Sequence, residues 1–272
     1  MDIGPLRDLL TVGLGVATGI LSGLFGVGGG VISQPGMRLV GLEPLVVIGT
    51  ALPVIIPGAL SGTVRYRHEG LIVWRAVGLT VPIGLAAAVV GSLASERVPG
   101  EGHLLQLATA GLLLFSAYRM SQAPPPLPPE EPRAESDAQD APSGPPRGEG
   151  SPSRYAGIGL IAGFLSGLLG IGGGVIMVPA FVQLARIEVK SAIATSLVCV
   201  GAFAIPGTIA HLSQGHVDGR VAVALVLGAI PGARIGAAMT IKASDRRVRT
   251  TVATFLGCTA VLYGVGELLA LL

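Results

Sequence analysis

Residues 19–37 read GILSGLFGVGGGVISQPGM, and residues 163–181 read GFLSGLLGIGGGVIMVPAF. Twelve of the nineteen positions are identical at an offset of 144. Beyond one inserted residue, an offset of 145 pairs Glu43 with Glu188, Thr50 with Thr195, Gly62-Thr63 with Gly207-Thr208, and Gly70 with Gly215. It also pairs Arg75 with Arg220, Gly91 with Gly236, and Tyr118 with Tyr263. The chain is therefore one ancestral unit duplicated, the internal symmetry common in secondary transporters.

The solvent of this repeat follows from composition. The 272 residues are 50% hydrophobic and only 12% charged, about half the charged fraction of an ordinary soluble domain. So much apolar side chain cannot hide in one soluble core of this size, which excludes a soluble enzyme and makes a bilayer the solvent. The 42 glycines and 20 prolines agree, since membrane helices tolerate both. A net charge of +2 is too small to imply nucleic acid. Cys199 and Cys258 have no metal or redox spacing and read as small core residues. The N-terminus lacks the charged, apolar and small-residue order of a cleaved signal.

Three segments follow: a first membrane repeat over 1–120, a linker over 121–153, and a second repeat over 154–272. The linker holds ten of the twenty prolines and six acids against Arg133 and Arg147, a composition that predicts disorder. Each repeat opens on a long apolar stretch broken by glycines (9–41 and 155–186). Three ordinary spans follow it, near 46–64, 71–94 and 103–120, then near 191–213, 217–241 and 250–271.

Lysine and arginine placement decides how the broken stretch runs. If it enters and returns as a hairpin, thirteen basic residues share one side, including Arg65, Arg67, Lys242, Arg246, Arg247 and Arg249. Four (Arg7, Arg38, Arg97 and Arg220) take the other, with Arg234 inside a span. The expected fold is thus an all-α membrane protein of two inverted repeats, each a re-entrant hairpin plus three transmembrane helices. The linker is then cytoplasmic and both termini lie outside a bacterial-type inner membrane.

The break itself, G-[VI]-G-G-G-V-I-x-x-P, recurs at Gly26–Pro35 and Gly170–Pro179. Irregular backbone at membrane depth must line protein or a water-filled cavity. A half-helix is expected to begin just after Gly30 and another after Gly174, with Pro35 and Pro179 in their first turns. A helix start offers free N–H donors and about half a positive charge, which suits an anion. The candidate substrate-binding residues are Gly28, Gly29, Gly30, Gly172, Gly173 and Gly174. Hydroxyls of Thr50, Thr195, Ser196, Ser22 and Ser166 could complete the shell, or simply bond their own helices. Arg234 is a candidate contact, although it lies near enough to Lys242 to snorkel to the interface. Glu43 and Glu188 read as loop acids, and His211 is a candidate proton carrier beside that bland alternative.

The doubled motif, with Ala194-Thr195-Ser196-Leu197 and then His211, Gly215, Val217 and Asp218, resembles the TauE/SafE family of sulfite and organosulfonate exporters. The resemblance covers nearly the whole chain outside the linker. It implies a membrane permease, an exporter of sulfur-containing anions coupled to the proton gradient. The first half departs from it, with Thr50-Ala51-Leu52 and Tyr66 where the second has Thr195-Ser196-Leu197 and His211. No catalytic residues, cofactor or metal are expected; the partners are a small anion and the bilayer, with a homodimer left open. The alternatives are a passive anion channel and a carrier of a different small anion. A phosphate or dinucleotide enzyme is excluded, because Gly26–Gly30 lacks the lysine and the strand context of such sites.

Overall fold

A computed structural model describes residues 4–39, 41–95, 97–98, 103–122 and 150–271. Ten helices account for most of them, and no strand occurs among the described residues. The first half comprises α1 (Gly4–Phe25), α2 (Gly30–Leu39), α3 (Pro44–His68), α4 (Trp74–Ser95) and α5 (His103–Ser121). The second comprises α6 (Pro152–Leu169), α7 (Gly174–Gln183), α8 (Val189–Ser213), α9 (Gly219–Lys242) and α10 (Asp245–Leu271). Residues 123–149 of the predicted linker lie outside the described residues.

Six of these helices (α1, α3, α4, α8, α9 and α10) are long and apolar enough to cross a membrane. The expected set differed: α1 belonged to a broken stretch, and α5 was an ordinary span. In the structure α1 runs for 22 residues, about 33 Å, before the break interrupts it. The 19-residue α5 is helical as expected, but His103, Gln106 and Arg119 dilute its apolar content. Leu60, Leu114, Phe115, Leu227 and Leu262 are all more than half exposed, so the outer surface is apolar, as lipid requires.

Glycine sets which helices touch. The α1–α9 pair runs parallel in steps of four: Gly15 lies against Leu225, Gly19 against Ala229 and Gly23 against Ala233. The α6–α4 pair repeats this, with Gly159 on Thr80, Gly163 on Gly84 and Gly167 on Ala88. In lipid nothing hydrophobic drives helices together, so close backbone approach through small residues supplies the packing. At the centre α3 and α8 pass in opposite directions: Gly49 lies by His211, Leu52 by Gly207, Ala59 by Gly201 and Gly62 by Leu197. The half-helices α2 and α7 fold back along α1 and α6. Gly29 lies over Thr18 and Gly36 over Leu14, while Arg154, at the start of α6, donates to the Leu184 carbonyl just past α7. Each glycine-broken stretch is therefore a hairpin.

Candidate functional site

The half-helices begin at Gly30 and Gly174, as the triple glycines predict. The preceding helices stop on Gly26 and Gly170, both at φ 66°, whose amides bond to the carbonyls of Ser22 (2.8 Å) and Ser166 (3.0 Å). The prolines fall elsewhere than expected. Pro35 and Pro179 are the sixth residues of α2 and α7, so each lies in the second turn and removes an internal hydrogen bond. In α2 the Val31 carbonyl freed by Pro35 lies 3.2 Å from the Tyr263 hydroxyl of α10.

The two breaks meet. A Cβ built on Gly28 would lie 3.6 Å from the Gly172 Cα, and the reverse distance is the same. Val200 of α8 closes on both, and Ile55 of α3, its counterpart at an offset of 145, closes on Gly172. Gly30 lies against the Gly170 carbonyl and Ile171, and Gly174 against the Gly26 carbonyl and Val27. Each half-helix start thus faces the backbone of the opposite break. Both sets of glycines are buried, and the peptide dipoles of one break occupy the space before the helix start of the other.

Two residues packed against these starts carry buried hydroxyls without hydrogen-bond partners: Thr18, whose methyl Cγ2 faces Gly29, and Ser166, whose Cβ lies 3.2 Å from a Cβ built on Gly173. Leaving such a group unpaired costs about 1–3 kcal/mol, and a ligand would recover it. Thr18 was not evident in the sequence, because its counterpart is Ala162.

Of the other candidates, Ser196 stands at a break, and Thr50, Thr195 and Arg234 do not. The Thr50 hydroxyl accepts from the Asp218 amide (2.9 Å) and the Thr195 hydroxyl from the Val73 amide (3.0 Å). Both anchor the loop before a helix of the opposite repeat, rather than standing at the breaks. Ser196 donates to the Gly26 carbonyl. Arg234 lies exposed on α9, away from the Gly232–Ala233–Gly236 face that packs on α1, and is not brought to the breaks. Glu43 and Glu188 are exposed residues opening α3 and α8, without side-chain caps. Cys199 is buried, as the core reading expects, and Cys258 is exposed; both are free.

Three residues whose role the sequence did not show hold the breaks. The Tyr66 hydroxyl donates to the Gly23 carbonyl (2.6 Å) and Thr240 to that of Leu24 (2.7 Å). Gln34 donates to the Leu169 carbonyl (3.0 Å) and lies 3.1 Å from the Tyr263 hydroxyl. Tyr66 was visible only as a departure from the His211 of the second half, and Gln34 is a lone amide in an apolar half-helix. Tyr66→Phe is expected to lower stability by about 1–2 kcal/mol, the value of a buried hydrogen bond whose acceptor stays buried. A thermal melt in detergent reads this directly; an unchanged midpoint would remove Tyr66 from the set.

The sequence pattern described as Sulfite exporter TauE/SafE matches residues 11–263. The "Probable membrane transporter protein YunE" of Bacillus subtilis is 28% identical over 269 residues, covering 94% of this chain and 98% of its own. A "Probable membrane transporter protein" of Xylella fastidiosa is 26% identical over 242 residues, covering 87% and 86%. One from Methanocaldococcus jannaschii is 26% identical over 269 residues, covering 93% of each. No solved structure matches. With its doubled glycine break, its apolar helices and a match running through nearly all of both halves, this multi-pass membrane protein belongs to the TauE/SafE family of membrane transporters.

Proposed function

We propose that the protein is a secondary carrier that exports a small sulfur-containing anion, sulfite or an organosulfonate, coupled to the proton gradient. The anion site is the junction of the two breaks. The observation that supports this reading is the contact of Gly28 with Gly172, where the two half-helix starts approach each other, with Thr18 and Ser166 packed against them. When the breaks part, amide donors from both repeats and the positive ends of α2 and α7 converge on whatever enters. A tetrahedral or pyramidal oxyanion can accept from both sides at once.

The two halves are read as inverted repeats. The antiparallel passage of α3 and α8, which correspond by sequence, supports this, as does the parallel pairing of α1 with α9 and of α6 with α4. Basic residues then assign the linker to the cytoplasm and both termini to the outside. Rocking of one hairpin against the other would expose the junction to each side in turn. No reaction chemistry is assigned to it.

The test is a thermal-shift panel on the full chain in detergent, comparing sulfite, sulfoacetate, taurine, thiosulfate, sulfate, phosphate and chloride at equal ionic strength. The cargo, at 100 times its dissociation constant, should stabilise by about 2.7 kcal/mol. A shift selective for one sulfur anion supports the reading; a larger shift with phosphate or chloride replaces the cargo. A channel with the same donors would bind alike but could not accumulate the anion against its gradient when a pH step is imposed on vesicles.

A further inference from the structure

The two hairpin tips are held unequally. Three side chains fasten the α1 tip: Tyr66 to the Gly23 carbonyl, Thr240 to that of Leu24, and Ser196 to that of Gly26. At an offset of 145 their counterparts are His211, Ser95 and Ala51, and none makes the equivalent bond to the α6 tip. Ser95 donates to Ser92 of its own helix, and Ala51 has no hydroxyl. His211 is 0% exposed, and neither of its ring nitrogens has a hydrogen-bond partner. The α6 tip keeps one fastening, from Gln34 to Leu169.

A buried imidazole with both nitrogens idle is an incomplete device. The residue in its place on the other half is a donor aimed at a hairpin-tip carbonyl. Neutral imidazole has one N–H; the protonated ring has two, and a charge that favours carbonyl oxygens at a helix C-terminus. The carbonyls that correspond to those of Gly23 and Leu24 are those of Gly167 and Leu168, at the end of α6, where a helix leaves acceptors unused.

The surroundings leave the proton little else to answer to. The titratable neighbour is His216, its ring centroid 5.8 Å away, itself hydrogen-bonded to Gln214. Asp218, next on that loop, turns its carboxylate to the Val221 amide. Arg220 on the first turn of α9 pairs with Asp8 of α1 at 2.7 Å. From α3 the neighbour is the uncharged Gly49, with the exposed Glu43 six residues before it at the opening of that helix. Along α4, α6 and α7 the ionisable residues are Arg75, Arg154 and Tyr155, all at the opposite ends of their helices.

Resting on the carrier reading above, we propose that His211 takes up the coupling proton, relayed from the surface through His216, and that the protonated ring fastens the α6 tip as Tyr66 fastens the α1 tip. The proton adds to a ring nitrogen and leaves by the same route when the α6–α7 hairpin opens. One hairpin is thus bolted permanently and the other only when charged, so opening of the second becomes a function of pH.

The test separates the device from the cargo. Leu168→Cys, in the full chain with Cys199→Ala and Cys258→Ala, is labelled with a maleimide in nanodiscs without any anion. Labelling should slow as the pH falls from about 7.5 to about 4, once corrected for thiolate fraction with an exposed control cysteine. The expected difference is about fivefold or more, the lower range of site-to-site coupling. His211→Gln should label fast at both pH values, and His211→Tyr slowly at both. Equal pH dependence in His211→Gln and its parent, or no pH dependence in the parent, would each overturn the proposal; His216→Gln should slow the response of labelling to a pH jump, and an unchanged response overturns the relay. In proteoliposomes with sulfoacetate, His211→Gln should retain exchange and lose accumulation driven by a pH step; undiminished accumulation overturns the proposal as well. A parent that moves no sulfoacetate refutes that cargo, while the labelling still decides His211.

Discussion

Gly173→Val is expected to abolish anion transport, and its cause can be read at one residue. Gly173 is the N-cap of α7 and holds φ at 70°, a left-handed conformation that costs an L-residue about 1–2 kcal/mol. A Cβ there would stand 2.5 Å from the Ala162 carbonyl oxygen and 3.2 Å from the Ser166 Cβ. Neither can yield cheaply, since one is helix backbone and the other lies beneath the half-helix start. Overpacking of this kind adds about 1–3 kcal/mol, so α7 must shift its first turn away from the junction. The amides that would receive the anion then turn away or lie behind two methyl groups. The measurement is vesicle efflux beside a thermal melt of the same preparation. A protein that still melts cooperatively, but neither transports nor shifts with the anion, places the loss at the site. Transport at the parent rate would overturn the junction as the binding place, however the melt behaves.

The same residue marks where the sequence was legible. Three glycines followed by a proline in each half told where the chain must break and restart, because that is local chemistry. The hairpin was legible too, through basic residues that would otherwise be split between the two sides. What could not be read was the partner of each side chain across helices. Thr50 and Thr195 looked like site hydroxyls because they recur at equivalent positions. They recur because each holds the loop before a helix of the opposite repeat. Arg234 looked functional as a charge within a span, yet helix rotation sends it outward while Gly232 and Gly236 face α1. Tyr66 and Thr240 act through carbonyls on α1, 43 and 216 residues away in sequence, and no periodicity encodes such a pairing. The proline misplacement has a similar cause: the carbonyl it frees in α2 is met by Tyr263, on the last helix.

A second large effect is expected far from the junction, at the crossing of α4 and α6. Gly163 faces Gly84 so closely that an added Cβ would lie 2.5 Å from the Gly84 Cα, with the Gly84 carbonyl nearer still. On its other side Gly84 is covered by the Phe203 ring of α8, so α4 cannot retreat without disturbing the centre. Gly163→Val should therefore force the two helices apart along the contact that Gly159 and Gly167 share. In lipid the separated surfaces gain no hydrophobic penalty that would push them back together, because close packing itself is the attraction. The expected loss is roughly 3–5 kcal/mol, at the upper end for a single substitution. It should appear as a collapsed melting transition and poor recovery from the membrane. Gly157→Val, on the same helix, meets nothing within 4 Å and should leave the melt nearly unchanged. The contrast isolates contact from helix propensity, since both substitutions place the same β-branched residue in α6. If the two variants melted alike, the α4–α6 seam would not be what holds the halves together, and the hairpin of α6 and α7 would lack the fixed support against which it is proposed to move.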